Sequence, residues 1–321
     1  MRASVCTRYG PPEVLELREV ATPSPGSRQV RIRIHATAVS VTDCRVRSDL
    51  RSAPAPLRFL ARLATGFGRP RQPILGSALA GEIDAVGKDV KRFAVGDRVF
   101  GYSGMRFGGN AEYVCLKETG GLLTGGLVPA PSNISSAEAA AIPYGGLMAL
   151  HFLKRAGVRS GQRVLIYGAS GAVGTAAVQI ARAFGAEVTG VCSTANLDLV
   201  TALGAERVLD YTRESDPGGR YDLVFDCVGL RKTSALKQAS RTALLPGGKY
   251  ASVDRGAPRM TAGGLLVLRE LIEAGQLKAV IDRRYPLEQM AEAHRYVELG
   301  HKRGNVVISI STPDRLFMPA D

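Results

Sequence analysis

The sequence predicts an α/β protein in which a β-rich first part is followed by a doubly wound parallel sheet. Apolar and polar residues alternate over residues 30–38, and this period of two is typical of a half-buried strand. From residue 163 onward, strand-like and helix-like runs alternate, which is the pattern of a parallel sheet covered by helices. A glycine-rich turn at residues 168–174 joins the first of these strands to the first of these helices.

The β-rich part consists of short strands separated by tight turns. After the strand over 30–38, we predict strands over 81–86, 97–102 and 111–116. Glycine-containing turns lie between them, for example at Gly87. Short strands at this spacing predict a small barrel or sandwich.

The second part begins with two predicted helices and continues as alternating strands and helices. Asn133, Ser135 or Ser136 can cap a helix that runs through Glu138, and a second helix is predicted over 147–156. The later predicted strands cover 163–168, 187–192, 207–211, 221–228, 249–253 and 305–310, and the later predicted helices cover 172–184, 197–203, 263–274 and 287–299.

Composition and charge narrow the class of protein. Of the 321 residues, 45% are hydrophobic, which excludes disorder as the main state. Lys and Arg number 42 against 29 Asp and Glu, a net charge of +13, so an anionic partner is expected: a nucleic acid, a membrane surface or a phosphorylated small molecule. The five cysteines are scattered and no apolar run is long enough for a membrane span. We therefore expect a cytoplasmic protein with reduced thiols.

The turn after the strand over 163–168 predicts a dinucleotide-binding loop. Its glycines follow a G-x-x-G-x-x-G spacing, in which one glycine turns the chain, one admits a pyrophosphate and one lets the helix pack on the sheet. The helix that follows offers backbone N–H groups and a positive dipole end to the phosphates. The expected cofactor-binding residues are Gly168, Ala169, Ser170, Gly171, Ala172, Val173 and Gly174.

The end of the next strand favours NADP(H) over NAD(H). NAD sites carry an acidic residue there for the ribose 2′-hydroxyl, whereas this strand ends in Cys192, Ser193 and Thr194, and the first carboxylate is Asp198. Ser193 leaves room for a 2′-phosphate and can hydrogen-bond it, and Tyr211 is expected near the adenosine. An ordinary helix cap is an equally good interpretation of Ser193 taken alone.

Several runs, in a fixed order, carry a family resemblance. They are Tyr9-Gly10-Pro11-Pro12-Glu13-Val14-Leu15, Gly81-Glu82-Ile83, Val95-Gly96-Asp97-Arg98-Val99-Phe100-Gly101, Ala111-Glu112-Tyr113, the glycine loop and Ala291-Glu292-Ala293-His294. Together they resemble the zinc-independent, quinone oxidoreductase-like branch of the medium-chain dehydrogenase/reductase family. The resemblance implies a GroES-like catalytic domain at residues 1–127 and 283–321, and a Rossmann NADP-binding domain at 128–282.

The positions of the catalytic zinc ligands in metal-dependent relatives are altered in this chain. Ser40 stands where the resemblance places a cysteine, and Ser77 and Ala78 stand where it places histidine and glutamate. Catalytic zinc needs about three protein ligands, so no metal site is expected, and Cys44 lies out of register.

Without zinc, the resemblance implies NADPH-dependent hydride transfer to a quinone or an α,β-unsaturated carbonyl, whose charge spreads onto oxygen. It places Thr42 and Asp43 at the mouth of the nicotinamide site, and Tyr144 near the position of a further zinc ligand. Asn305 can return to the cofactor from the last strand. Each has a structural alternative: Asp43 as a turn carboxylate, Tyr144 as a core aromatic and Asn305 as a strand cap.

Two rival functions remain open. One is a zinc-free alcohol or aldehyde oxidoreductase on the same scaffold. The other is a nucleic-acid-binding or regulatory protein that kept a dinucleotide pocket, which the absence of an RNA-binding motif disfavours.

Two features depart from the family. Residues 44–73 hold seven arginines against the single acid Asp49, which predicts either a solvated basic face or a gate beside the pocket.

The segment after Asp254 passes directly to a helix, so the last strand of the Rossmann sheet is expected to be missing. In the family that edge often builds the dimer, and we therefore expect a monomer or an atypical homodimer.

Overall fold

The structure is a computed structural model, and it describes residues 1–50, 59, 62–63, 65–120, 125–229, 233–255 and 258–310. The chain forms two compact units. Unit 1 comprises Met1–Tyr144, Met260–Leu266 and Ile281–Asp321, and unit 2 comprises Gly145–Arg259 and Val267–Val280. The domain boundaries at 127/128 and 282/283 stay a prediction.

Unit 1 is built on two sheets whose strands pair antiparallel, except for one parallel pair formed by the last two strands of the unit. Strands β1 (Arg2–Cys6) and β2 (Leu15–Glu19) pair with each other. Seven further strands form one sheet in the order β13-β14-β3-β4-β5-β7, with β6 also paired to β3. Their bounds are β3 Gln29–Val39, β4 Ala78–Val86, β5 Arg98–Tyr102, β6 Tyr113–Lys117, β7 Gly126–Pro129, β13 Ile281–Pro286 and β14 Asn305–Ser309.

The alternation in β3 explains why this strand forms the centre of unit 1. Val30, Ile32 and Ile34 are fully buried, whereas Arg31 and Arg33 between them pair with acidic residues on β4. The four strands predicted in this part are confirmed within a few residues. β1, β2, β7 and β13 were not predicted, and neither β7 nor β13 shows a clear alternation of apolar and polar residues.

Two of the described helices lie wholly within unit 1. Helix α1 (Val41–Arg47) follows β3 directly, and the helix α7 (Met290–Glu298) precedes β14. A single turn of 3-10 helix at Leu287–Gln289 leads into α7, so the helix predicted over 287–299 is confirmed.

Unit 2 contains a five-stranded sheet in which all neighbouring strands are parallel, in the order β10-β9-β8-β11-β12. The strands are β8 Arg163–Tyr167, β9 Glu187–Cys192, β10 Arg207–Asp210, β11 Tyr221–Asp226 and β12 Leu244–Ser252. The helices are α3 Ala172–Ala183, α4 Leu197–Ala202, α5 Ala235–Thr242 and α6 Ala262–Glu273, of which α6 begins in unit 1. This is the doubly wound sheet that the sequence predicts.

Among the described strands, β12 pairs only with β11 and ends the sheet. The expected absence of a further strand therefore agrees with the described part of the chain. Pro246 lies within β12. Proline has no N–H group to pair, and it is tolerated on an edge strand because one side of that strand has no neighbouring strand.

The prediction of two separate helices over residues 133–156 is wrong. One continuous helix, α2, covers Ser136–Ala156 with Pro143 inside it. The side chains on both sides of the proline, such as Ile142 and Leu147, are buried, and this packing offsets the hydrogen bond that proline cannot donate. Position 145 requires glycine, because a Cβ there would clash with the carbonyl oxygen of Ala172 at 2.3 Å.

Within the part of the chain that the structure describes, no helix is long and apolar enough to cross a lipid bilayer.

Candidate active site

The turn after β8 has the geometry of a phosphate-binding loop. The N–H groups of Gly168 and Ala169 both donate to the carbonyl oxygen of Val191, at 2.9 Å, which fixes the turn against β9. Gly171 is then the N-terminal cap of α3 in an extended conformation, with no side-chain cap. The first N–H groups of a helix lack intrahelical acceptors, so Ala172, Val173 and Gly174 present theirs beside the loop.

The three glycines of the loop differ in what a side chain would meet at each position. Gly168 has φ +81°, which favours glycine, and a Cβ there would lie 2.5 Å from Val228. A Cβ on Gly174 would lie 2.1 Å from the carbonyl oxygen of Gly168, so helix and turn could not pack as they do. A Cβ on Gly171 would meet only that same oxygen, at 3.6 Å, so this position is open. A tight turn, a close helix and an open cap together fit a pyrophosphate.

The ends of β9 and β10 lie side by side, because the two strands pair in parallel register up to Cys192 and Asp210. Ser193 follows β9, and its hydroxyl accepts a hydrogen bond from the Asn196 side chain at 3.0 Å. Thr194 donates its hydroxyl to the buried carboxylate of Asp210.

Asp210 is a buried acid that the sequence analysis did not single out. Its carboxylate also accepts the backbone N–H of Thr212 at 2.9 Å and the Thr212 hydroxyl at 2.7 Å. Burial alone would raise the pKa of Asp210, but the hydroxyl donors of Thr194 and Thr212 outweigh it and lower this pKa. Its position at the end of a strand is the signal that could have found it.

Tyr211 and Arg213 follow Asp210 at this edge of the sheet. The Tyr211 ring lies 6.1 Å from the Tyr167 ring, centroid to centroid. The Arg213 side chain is 73% exposed, and its Nε lies 3.7 Å from the Asp210 carboxylate. Arg213 is a cation near the ends of β9 and β10 that the sequence analysis did not single out. It lies three residues beyond the end of β10.

In unit 1, the structure brings together two of the predicted catalytic residues. The Thr42 hydroxyl on α1 lies 2.9 Å from the Tyr144 hydroxyl on α2, and either can be the donor. The two residues are 102 positions apart, so their contact depends on the fold of the unit. A hydroxyl pair of this kind can orient one proton donor toward a substrate oxygen.

Asp43 holds the start of α1. Ser40 is the helix cap, and its backbone N–H and its hydroxyl donate to the Asp43 carboxylate at 2.7 Å and 2.6 Å. The N–H of Asp43 donates back to the Ser40 hydroxyl, which completes a capping box. Burial raises the pKa of Asp43, and the Ser40 donors oppose that shift. The structural alternative for Asp43 is therefore realised, and any contact with substrate stays a prediction.

Tyr102 is a tyrosine close to the predicted catalytic residues that sequence reasoning did not single out. It ends β5, and its side chain hydrogen-bonds Ser77. Burial raises the pKa of Tyr102, and Tyr144 and Asp43 act in the same direction. The Tyr102 phenol therefore stays protonated and can serve as a hydrogen-bond donor. A tyrosine at the end of a strand that faces α1 and α2 carries no local sequence signal.

The described residues contain no group of three or more His, Cys, Asp or Glu side chains that could hold a metal ion. Cys44 instead contacts His294, with 3.4 Å between its Sγ and the histidine Nδ1, and both are buried. Asn305 is buried at the start of β14 in unit 1, and its contact with a cofactor stays a prediction.

Comparison with known proteins agrees with this architecture. Residues 26–130 match the alcohol dehydrogenase GroES-like domain, and residues 172–278 and 258–308 match two models of zinc-binding dehydrogenases. The chain is 32% identical to a 2-methylene-furan-3-one reductase of Solanum lycopersicum and 30% identical to a chloroplastic NADPH-dependent alkenal/one oxidoreductase of Arabidopsis thaliana. Each alignment covers 96% of this chain and 79% of the relative.

Among solved structures, the quinone oxidoreductase from Coxiella burnetii is similar, with a TM-score of 0.79 and 26% identity over 97% of this chain and 99% of that one. A GroES-like unit combined with a dinucleotide-binding sheet defines the class of medium-chain oxidoreductases. The chain belongs to the quinone oxidoreductase-like branch of the medium-chain dehydrogenase/reductase family.

Proposed function

We propose that this oxidoreductase uses NADPH to reduce a quinone or an α,β-unsaturated carbonyl, and that it does so without a catalytic zinc ion. The observation that carries the proposal is the Thr42–Tyr144 hydroxyl pair, in a unit where Ser40, Ser77 and Ala78 stand at the positions expected for metal ligands. The names of the relatives from Solanum lycopersicum and Arabidopsis thaliana, an enone-type reductase and an NADPH-dependent alkenal/one oxidoreductase, support the same chemistry.

The cofactor would be held by the loop after β8 and by the ends of β9 and β10. The open cap at Gly171 and the N-terminus of α3 suit the pyrophosphate. The hydroxyl of Ser193 and the exposed guanidinium of Arg213 suit a 2′-phosphate, which arginine binds well. Tyr211 offers its ring and hydroxyl to the adenosine. Asp210 is bound to Thr194 and Thr212, so those contacts compete with any bond to a ribose hydroxyl.

When bound, the cofactor supplies the hydride, and the protein has to stabilise the negative charge that develops on the substrate oxygen. The Tyr144 hydroxyl, held by Thr42, is proposed to donate to that oxygen and then to deliver its proton, which solvent returns to the tyrosinate before the next turnover. A prepositioned donor of this kind stabilises the transition state without reorganisation. Asp43 acts through the helix: its capping box fixes the first turn of α1 and so fixes Thr42.

The serines at the expected ligand positions support the zinc-free mechanism. Ser40 is engaged with the Asp43 carboxylate and Ser77 with Tyr102, so both hydroxyls have structural partners. A serine hydroxyl is also a poor zinc ligand compared with thiolate or imidazole.

The test is oxidation of NADPH by the full-length protein with a panel of quinones, enones and aldehydes, with and without a chelator. We expect turnover of enones or quinones that the chelator leaves unchanged. Tyr144→Phe should lower kcat about 100-fold, and Thr42→Val about tenfold, since it removes one orienting hydrogen bond. Tyr113→Phe, which removes a hydroxyl elsewhere in unit 1, is the matched control.

Other outcomes would overturn the proposal. Loss of activity on chelation would contradict the zinc-free mechanism. Turnover of aldehydes alone would favour the alcohol or aldehyde oxidoreductase. Stabilisation against heat by an oligonucleotide, strongly dependent on salt and without any effect of NADPH, would favour a nucleic-acid-binding protein.

We also propose that the protein is cytoplasmic and forms a monomer or an atypical homodimer. The five cysteines are all free, which suits a reducing compartment. The sheet edge at β12 carries Pro246, which is poorly suited to pairing with a second copy. Size-exclusion chromatography with light scattering tests the assembly: a dimer that Pro246→Thr strengthens or Lys249→Pro abolishes would show pairing through that edge and contradict the proposal.

A further inference from the structure

One part of unit 1 exposes large apolar side chains close together. Phe59, Leu63 and Phe67 are 58%, 51% and 53% exposed, and they are three of the nine large apolar residues that are exposed among those the structure describes. The Phe59 and Phe67 rings contact each other edge to face, with 5.9 Å between their centroids. Exposed apolar side chains that cluster in this way mark an interaction surface, whereas single ones do not.

Polar contacts on the inner side hold this segment in place. Arg62 donates to the Asp49 carboxylate, with 2.8 Å between Nε and Oδ1. The Tyr9 hydroxyl donates to the carbonyl oxygen of Thr65 at 2.9 Å. The N–H of Arg71 donates to that same carbonyl at 2.7 Å, which closes a loop over residues 65–71 that contains Phe67. The polar groups thus point inward and the phenylalanines outward.

The segment that carries these side chains has an excess of positive charge in its sequence. Asp49 is the single acid of residues 44–73, against seven arginines, and it is buried and paired with Arg62. Arg69 and Arg71 belong to the same loop and are exposed. We call Phe59, Leu63, Phe67, Arg69 and Arg71 the basic-aromatic patch.

We propose that the basic-aromatic patch docks this protein on the surface of an anionic lipid bilayer. Phenylalanine and leucine side chains enter the boundary between headgroups and acyl chains, while arginines stay at the level of the lipid phosphates. Positive charge near the surface adds an attraction that depends on anionic lipid. The combination of projecting aromatic side chains with an excess of arginine selects this partner over a neutral protein surface, which would gain nothing from the charge.

Docking of this kind is peripheral. It needs no spanning helix, and it is independent of the reaction proposed above. A bilayer is also the place where apolar quinones accumulate, so docking would bring the protein close to such molecules.

The experiment is co-sedimentation of the full-length protein with vesicles of phosphatidylcholine alone or mixed with phosphatidylglycerol, at about 0.1 M and about 0.5 M salt. Two patch variants are compared with the wild type: Phe59→Ser with Phe67→Ser, and Arg69→Glu with Arg71→Glu. The matched controls are Leu17→Ser with Val95→Ser, and Lys88→Glu with Arg284→Glu, all at exposed positions outside the patch.

We expect the wild type to bind the anionic vesicles, and to bind them less at high salt. The arginine variant should weaken binding at least about five-fold for each arginine, and the phenylalanine variant about tenfold or more. The controls should keep wild-type binding. All substituted side chains are exposed, so thermal unfolding and stabilisation by NADPH should be unchanged, which separates failure of docking from failure of the fold or the cofactor site.

The proposal is overturned if the wild type does not sediment with anionic vesicles. It is also overturned if the control variants weaken binding as much as the patch variants, because the attraction would then come from net charge alone. A wild-type dimer in light scattering that Phe59→Ser with Phe67→Ser converts to a monomer, without any vesicle binding, would show that a second copy covers the patch instead.

Discussion

Stability should fall in mild acid because of one buried histidine. His294 on α7 is completely buried, with its Nδ1 3.4 Å from the Cys44 sulfur. Burial, assisted by the nearby Arg47 guanidinium, lowers the pKa of His294 from 6.5 to about 3. Between pH 6.5 and about 3, the His294 ring is therefore protonated in the unfolded chain and neutral in the folded chain.

The magnitude follows from linkage between proton binding and unfolding. Each pH unit between 6.5 and about 3 costs about 1.4 kcal/mol of unfolding free energy. At pH 5 the loss from His294 amounts to about 2 kcal/mol, and at pH 7.5 it is close to zero. Stability at this site is thus complete above pH 6.5 and is lost as the pH falls.

The assay is urea unfolding followed by far-UV circular dichroism at several values between pH 7.5 and pH 5, since the chain has no tryptophan for fluorescence. His294→Asn removes the titrating ring and also leaves a cavity, which lowers stability at every pH. The difference in unfolding free energy between wild type and variant should shrink by about 2 kcal/mol on going to pH 5. His301→Asn, at an exposed histidine, is the control. A difference that stays constant with pH for His294→Asn would refute the reasoning.

Three further substitutions have outcomes that the structure fixes. Gly171→Ala should keep wild-type thermal stability, because its Cβ would meet only one protein atom within 4 Å, at 3.6 Å. It should weaken stabilisation by NADPH, because that Cβ would enter the space proposed for the pyrophosphate. Gly174→Ala should itself lower stability by about 1–3 kcal/mol, since its Cβ would lie 2.1 Å from the Gly168 carbonyl oxygen, and equal melting temperatures for the two variants would contradict this. Lys237→Met should lower the free energy of unfolding by about 3–5 kcal/mol. The reason is that buried Asp226, whose carboxylate lies 2.9 Å from the Lys237 amine, would lose its cation. Adding Asp226→Asn should recover part of this loss in urea unfolding, and no recovery would argue against a buried charge as the cause.

The regular part of the fold could be predicted because it rests on local patterns. Alternation over β3 and the sequence of β8, glycine loop and α3 are visible in neighbouring residues, and the resemblance added the order of the domains. The continuous helix α2 could not be predicted, because Pro143 is a local signal to end a helix. Burial of Ile142 and Leu147 overrides that signal, and burial is a property of the folded unit.

The candidate site divides in the same way. The strand, glycine turn and helix of the loop were predicted, since they are contiguous in the sequence, and binding of a phosphate there stays a prediction. Thr42 and Tyr144 were each predicted through the resemblance, but nothing in the sequence placed their hydroxyls 2.9 Å apart. The capping role of Asp43 was one of two open alternatives. Tyr102 was missed, because its contact with Ser77 joins two different strand ends.

The sequence by itself determined which segments alternate, where glycine lets the chain turn tightly from a strand into a helix, and where an excess of arginine lies. These properties depend on residues within a few positions of one another. The tertiary structure alone decided which hydroxyls meet, that His294 and Asp43 lie buried, and that Phe59 and Phe67 remain exposed beside Arg69. The physical reason is that burial and contact between distant residues arise only when strands and helices pack together, and packing is what sets both the pKa of a buried group and the surface that is left uncovered.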